Sequence, residues 1–79
     1  MTVLLFARAR DLAGTGTVEM TLPPGATVAD LRRALAARFP PLAALLERSA
    51  FAVDDEFASD AVPLAPAAVV ALLPPVSGG

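Results

Sequence analysis

The last strand-like run of the chain restricts its fold more than any other feature. Residues Ala68 to Leu73 read AVVALL and are followed at once by Pro74 and Pro75. A short run that is apolar at both odd and even positions is typical of a strand buried on both faces. Since proline cannot donate to a strand ladder, the strand must end at Leu73. We therefore expect this strand in the middle of a sheet, beside the first strand.

The amino-terminal half predicts that first strand and its neighbour. Thr2 to Ala7 is an apolar run of strand length, and Thr17 to Leu22 alternates between apolar and polar residues. Strict alternation is the pattern of a half-buried strand. Gly14 and Gly16 predict a turn between the two runs, so the strands should form a hairpin. Farther along, Phe51 to Ala58 predicts a second and shorter hairpin.

A single helix is predicted between these two hairpins. Thr27 is the expected N-cap, and Asp30 stands three residues later in the position of a capping box. The helix should end before Pro40. Its apolar residues recur at helical spacing, on one stripe: Val28, Leu31, Leu35 and Phe39. One helix packed on a mixed sheet gives an α+β fold with the β-grasp arrangement.

Composition narrows the function classes. The chain has 79 residues, which is enough for one domain, and it contains no cysteine and no histidine, so disulfides are excluded and a metal site is not expected. Net charge is −2 and the basic residues are scattered, which does not favour nucleic-acid binding. No apolar stretch is long enough to span a membrane, and no signal peptide is recognisable, so we expect a cytoplasmic protein. The apolar fraction of 56% is high for so small a domain, and it favours a protein partner.

The side chains offer no obvious catalytic group. Ser49, Ser59 and Ser77 have no histidine or lysine to activate them. The acidic run from Asp54 to Glu56 is interpreted as a solvated turn, with a cation site as the alternative. The remaining reactive group is the carboxylate of Gly79.

The last six residues look suited to present that carboxylate. We expect a folded domain over residues 1–73 and an extended tail over residues 74–79. The tail begins with two prolines that leave the sheet, continues through an apolar handle and a small hydroxyl residue, and closes on two residues without side chains: Pro74, Pro75, Val76, Ser77, Gly78 and Gly79. The five residues after Pro74 can reach about 17 Å when extended, which is far enough to enter the active site of another protein. The alternative is a frayed terminus of small residues.

Strand alternation predicts where a partner would dock. A single helix covers one face of the sheet, so the other face should show apolar side chains to water. The residues expected on that face are Phe6, Phe57, Val69 and Leu73. In the alternative, the segments 41–50 and 54–66 cover this face.

These segments together resemble a known family. The stretches VLLFARARDLAG, ATVADLRRALAARFP, FAVDDEF and VVALLPPVSGG are similar, nearly end to end, to the small sulfur-carrier subunits of molybdopterin synthase, which have a ubiquitin-like β-grasp fold. Two places depart from the family pattern. Asp54 and Asp55 stand where Asn-Gly-like residues are usual, and Ala65 to Ala68 replaces a Gly-Asp-acid turn.

The resemblance implies a carrier mechanism. An activating enzyme would adenylate the Gly79 carboxylate with ATP, and a persulfide sulfur would replace AMP to leave a thiocarboxylate. The tail would then enter the large subunit of molybdopterin synthase and pass its sulfur to a cyclic pyranopterin phosphate. The chain itself would bind no cofactor. Three alternatives stay open. The first is a carrier for thiamine or tRNA thiolation, although the Pro74-Pro75-Val76 run disfavours the thiamine pathway. The others are a ubiquitin-like modifier of lysines and an interaction domain with an inert terminus.

Overall fold

The computed structural model describes residues 1–75, which form a five-stranded mixed sheet in the order β2-β1-β5-β3-β4. The strands are β1 (Thr2–Leu5), β2 (Thr17–Glu19), β3 (Ala50–Val53), β4 (Glu56–Ala58) and β5 (Val69–Leu73). The helices are α1 (Ala7–Ala13), α2 (Val28–Arg38) and α3 (Ala43–Leu46), with a 3₁₀ turn at Pro40–Leu42 directly before α3. This arrangement confirms the predicted α+β class.

The strand β5 lies in the middle of the sheet, as its sequence predicts. It pairs in parallel with β1 and antiparallel with β3, so both of its edges are hydrogen-bonded. Val70 and Leu72 on its inner face are both 0% exposed. Burial of two such side chains contributes about 3–6 kcal/mol to folding before entropy is counted. The predicted pairing of the first strand with β2 is also confirmed, with Val3 opposite Val18.

The core lies between the inner face of the sheet and α2. The helix contributes Val28, Leu31 and Leu35, all 0% exposed, which is most of the stripe expected from sequence. The sheet and the 3₁₀–α3 segment supply the remaining large side chains, which are Val3, Leu5, Leu42, Leu46, Phe51, Val70 and Leu72. These residues form one continuous cluster, so the sheet is covered on this face alone.

The start of α2 is held by the capping box that the sequence predicts. The Thr27 hydroxyl accepts from the Asp30 amide at 3.4 Å, and the Thr27 amide donates to the Asp30 carboxylate at 2.9 Å. The hydrogen bond from the Thr27 backbone lowers the pKa of Asp30 below its ordinary value of 3.8, with smaller help from the Thr27 hydroxyl and from Arg33. The ionised carboxylate therefore stabilises the folded state at pH values above the ordinary pKa. This contribution is lost as the pH falls through the lowered pKa.

Arg32 joins three separate parts of the fold, a role that its place off the apolar stripe did not suggest. Its guanidinium donates to the carbonyl oxygens of Leu46 and, at 2.9 Å, Ser49, where α3 gives way to β3. The same group binds the Asp60 carboxylate at 2.7 Å and lies over the Phe51 ring, 4.9 Å from its centroid. The Arg32 side chain is only 20% exposed, so these contacts are shielded from water.

The turn predicted between the first two strands is wrong in part, because most of it is helical. The helix α1 occupies Ala7–Ala13 and ends at Gly14, which has a left-handed φ of 77° and donates to the Arg10 carbonyl. A helix of seven residues is too short to show a clear period or to be stable alone. It forms here because Ala9 is fully buried in the core. Gly14 and Gly16 do mark a turn, but this turn covers only the last few residues of the segment between β1 and β2.

Replacing Arg32 tests its role as a clamp. We expect Arg32→Ala to lower the free energy of unfolding by about 2–3 kcal/mol, because it leaves two shielded carbonyl oxygens without their charged donor. The matched control is Arg33→Ala, which removes a side chain that is 72% exposed and should change stability by less than about 0.5 kcal/mol. Urea unfolding of both variants measures the difference, and equal losses would show that Arg32 is not a clamp.

Candidate functional site

The end of the sheet from which the chain departs after Leu73 is the centre of the candidate site. Because β1 and β5 are parallel and Leu5 lies opposite Leu72, Phe6 and Leu73 leave the sheet side by side. Ala50, the first residue of β3, lies opposite Leu73 on the other side. We call this the tail end of the sheet. The chain turns sharply after Phe6, since the next residue, Ala7, has a positive φ of 50°.

The structure describes the first two residues of the predicted tail. Pro74 is half-buried and Pro75 is exposed, and neither belongs to β5, which ends at Leu73 as expected. The other predicted tail residues, Val76, Ser77, Gly78 and Gly79, lie outside the described residues. The predicted boundary between residues 1–73 and 74–79 therefore stays a prediction.

The predicted partner residues do share one open face of the sheet. Phe6 is 47% exposed, Phe57 is 79% exposed and Val69 is 44% exposed, while Leu73 is half-buried. All four lie opposite the core face that α2 covers. Such large apolar side chains exposed on one face of a small sheet are typical of an interaction surface.

Three residues that the sequence analysis did not single out complete this surface. The strand registers place Leu4, Ala71, Ala52 and Phe57 in one row across the sheet. That row spans about 14 Å, which is three strand spacings. We call the seven residues Leu4, Phe6, Ala52, Phe57, Val69, Ala71 and Leu73 the outer patch. Alternation within β1 and β5 could have identified Leu4 and Ala71, but Ala52 depends on the pairing of β3.

The segments 41–50 and 54–66 do not cover the outer patch. In the first segment Leu42, Leu45 and Leu46 point into the core beside α2, on the opposite face of the sheet. In the second, Leu64 also joins the core and Phe57 stays exposed. The alternative of a covered outer face is therefore wrong, because the apolar residues of both segments are used on the inner side.

The acidic turn borders the outer patch. Asp54 and Asp55 have φ values of 48° and 71°, which is the left-handed pair that a two-residue hairpin turn requires. Both line a shallow depression on the outer face together with Leu4, Ala52, Val69 and Ala71. Asp54 is more than a solvated residue, because its carboxylate accepts from the Val69 amide at 3.1 Å. This bond ties the turn to the first residue of β5.

The described residues contain no catalytic arrangement. Ser49 is buried, and its hydroxyl donates to the Leu45 carbonyl at 2.7 Å. Within residues 1–75 no three acidic side chains come together in a way that could hold a metal ion. The same part of the chain has no helix that is long and apolar enough to cross a membrane. The candidate site thus consists of the outer patch and the point at which the chain leaves the sheet.

The mixed sheet, its covering helix and the strand order define a ubiquitin-like β-grasp protein. The chain belongs to the ThiS family, whose family model matches residues 3–79. It is 34% identical to the molybdopterin synthase sulfur carrier subunit of Arabidopsis thaliana over 77 residues, covering 98% of this chain and 80% of that protein. It is also 34% identical to the subunit of the same name from Chlamydomonas reinhardtii over 79 residues, covering 98% and 95% of the two chains.

Solved structures agree with this assignment. The crystal structure of SAMP1 from Haloferax volcanii, a small archaeal modifier protein, matches with a TM-score of 0.87 and 30% identity, over 99% of this chain and 97% of that one. A chain in the complex of subunits 1 and 2 of the molybdopterin-converting factor from Helicobacter pylori matches with a TM-score of 0.68 and 25% identity, over 99% and 96%.

A pair of phenylalanine substitutions separates the two faces of the sheet. We expect Phe57→Asp to lower the free energy of unfolding by less than about 1 kcal/mol, because its ring is mostly in water. Phe51→Ala, at a position 1% exposed, should cost about 3–5 kcal/mol through the cavity that it leaves. Thermal or urea unfolding measures both, and a large loss for Phe57→Asp would place that ring in the core.

Proposed function

We propose that this protein is the sulfur carrier subunit of a molybdopterin synthase and acts in the cytoplasm. Its reagent is the carboxylate of Gly79, and its binding surface is the outer patch. The family match and the two relatives that are named sulfur carrier subunits of this enzyme are the observation that carries the proposal. The double glycine at residues 78–79 and the open apolar face beside the tail support it.

The proposed chemistry explains why a catalytic side chain is not needed. A carboxylate is a poor electrophile, so the activating enzyme uses ATP to convert it into an acyl adenylate and releases pyrophosphate. A persulfide sulfur then attacks the acyl carbon, and AMP leaves, which gives an acyl disulfide. A thiol of a partner protein then attacks the donor sulfur of that S–S bond, forms a disulfide with the donor and releases the acyl-bound sulfur. The resulting thiocarboxylate is an ionised and polarisable nucleophile at neutral pH. Both active sites belong to partner proteins, and this chain supplies the reacting end without binding a cofactor.

The proposed docking follows from the position of the outer patch. Phe6 and Leu73 lie at the tail end of the sheet, so a partner that covers them also receives the chain beyond Leu73. Phe57 and Val69 lie at two other borders of the patch and would fix the orientation of the partner. We propose the large synthase subunit as this partner, in line with the converting-factor complex of two subunits to which the fold is similar. The activating enzyme would use the same face at an earlier step.

A second candidate function is protein modification, favoured by the similarity to SAMP1. A modifier would use the same adenylated terminus but would form an amide with an amine of a target protein. The two functions share their activation step and differ in the final acceptor. Covalent adducts on lysines of other proteins would favour the modifier, and transfer of sulfur alone favours the carrier.

Thiolation of Gly79 can be measured directly by intact-protein mass spectrometry. After incubation with the activating enzyme, ATP and a persulfide donor, the mass should rise by the exchange of one oxygen for sulfur. A variant that lacks Gly79 should keep its mass, since its last carboxylate is one residue too short for the partner's active site. An unchanged mass for the full chain, under conditions that thiolate a known carrier, would contradict the proposal.

The docking surface can be tested with one substitution and a matched control. We expect Phe57→Asp to weaken binding of the large synthase subunit at least tenfold, about 1.4 kcal/mol, because it places a charge in an apolar contact. Ala37→Asp puts the same charge on the exposed side of α2, away from the outer patch, and should leave the affinity unchanged. Calorimetric titration compares them, and equal affinities would remove Phe57 from the interface.

A further inference from the structure

An activated carboxyl terminus has a chemical hazard that the proposed function does not address. An acyl adenylate reacts with any amine that reaches it: the nitrogen attacks the acyl carbon, the bond to the phosphate breaks, AMP leaves and a proton goes to solvent. The product is a stable amide, which can no longer accept sulfur. A carrier therefore loses its function if its own surface supplies the amine.

The basic residues of this chain cannot supply that amine. All of them are arginines, and the sequence has no lysine, cysteine or histidine. At pH 7 a lysine side chain is a neutral amine for a fraction on the order of 10⁻⁴ to 10⁻³ of the time. A guanidinium group is neutral for a fraction on the order of 10⁻⁶ or less, and its remaining charge is delocalised. Arginine therefore keeps the positive charge and removes the nucleophile.

Arg8 and Arg48 stand within reach of the tail, and the side chain of Arg10 lies at the same end of the sheet, beside Gly16. Arg8 lies two residues beyond Phe6, and Arg48 lies two residues before Ala50, while Phe6 and Ala50 flank Leu73. Strand spacing and chain length place each arginine within about 13 Å of Leu73. Both are exposed. The six residues that follow Leu73 can span about 20 Å, so a nucleophile at either position could meet the acyl group of its own chain.

The amino terminus lies far from the tail end, and two hydroxyl groups near that end are already engaged in hydrogen bonds. The Met1 amine donates to the Met20 carbonyl at 2.7 Å and lies beyond Thr2, which pairs with Val69 at the opposite end of β5. At the tail end, the hydroxyl of Ser49 is buried and bonded to a carbonyl, and that of Thr15 donates to the Thr17 carbonyl at 3.0 Å. Neither has a neighbouring imidazole or amine as a base.

We infer that arginine in place of lysine at Arg8 and Arg48 protects the activated Gly79 from capture by its own chain. The side chains of the protein consequently neither close it into a lactam nor accept a further copy of it. If it also modifies proteins, no lysine of an attached copy can receive a second one. This inference rests on the proposed function, since only an activated terminus needs such protection.

A chemical route to the activated terminus tests this without the activating enzyme. The full chain, fused at Gly79 to an intein and released with mercaptoethanesulfonate, carries a thioester at Gly79 that reacts with amines as the adenylate does. The variants Arg8→Lys and Arg48→Lys keep the charge and add an amine near the tail end. The matched control, Arg38→Lys, adds an amine beside Glu19 and Met20, at the opposite end of the sheet. Circular dichroism checks that each variant is folded.

We expect the wild-type thioester to hydrolyse to the free acid, with no product lighter than the acid by one water and no covalent dimer. Arg8→Lys and Arg48→Lys should form that lighter product, an internal amide, at least ten times faster than Arg38→Lys, because a tethered amine has a high effective concentration. Peptide mapping locates the amide.

Two results would overturn the inference. One is internal amide or dimer in the wild type at the rate of the lysine variants. The other is no amide in either variant near the tail end, while added glycinamide captures the thioester in the same samples. Because no sulfur donor or activating enzyme takes part, a failure of enzymatic thiolation would contradict the proposed function and leave this result standing.

Discussion

The pairing of β5 on both of its edges is the constraint on which the rest of the structure depends. The strand joins the amino-terminal half of the sheet to β3 and β4, and its inner residues Val70 and Leu72 lie in the core against α2. Because β5 is parallel to β1, the chain leaves the sheet next to Phe6. The same strand therefore organises the core, exposes Val69, Ala71 and Leu73 on the outer face, and aims the following residues at one end of the molecule. The stability of the fold and the direction in which the chain leaves the sheet depend on the same set of backbone hydrogen bonds.

A sheet from which the carboxyl-terminal residues leave at one end suits a protein that carries a reactive group to enzymes. In the proposed function the partner binds the outer patch and holds the active site, so the carrier contributes a matching shape and an unhindered terminus. Reactive side chains would interfere with this task. The arginines at positions 8 and 48 add positive charge near the tail without adding an amine, whereas the acidic turn at Asp54 and Asp55 borders the other end of the patch.

Much of this fold could be predicted from the sequence, and the errors have physical causes. The capping box at Thr27, the apolar stripe of α2 and the alternation of β2 are local patterns, and each was correct, although β2 ends at Glu19 and not at Leu22. The helix α1 was missed because seven residues carry too little periodicity, and its stability depends on burying Ala9 and on packing Leu12 and Ala13 against the core. The role of Arg32 could not be predicted, because its partners at Leu46, Ser49 and Asp60 lie 14 to 28 residues away and follow no local rule.

The sequence by itself determined the class of fold, the faces of the strands and the end of β5 at Leu73, because periodicity and proline act within a few residues. Only the tertiary structure decided that the outer face stays open, since this depends on Leu42, Leu45 and Leu46 turning into the core. The registers of β3 with β5 and of β4 with β3 likewise decided that Ala52 and Phe57 join Leu4 and Ala71 in one row. Both outcomes arise from contacts between residues distant in the chain, which no short pattern encodes.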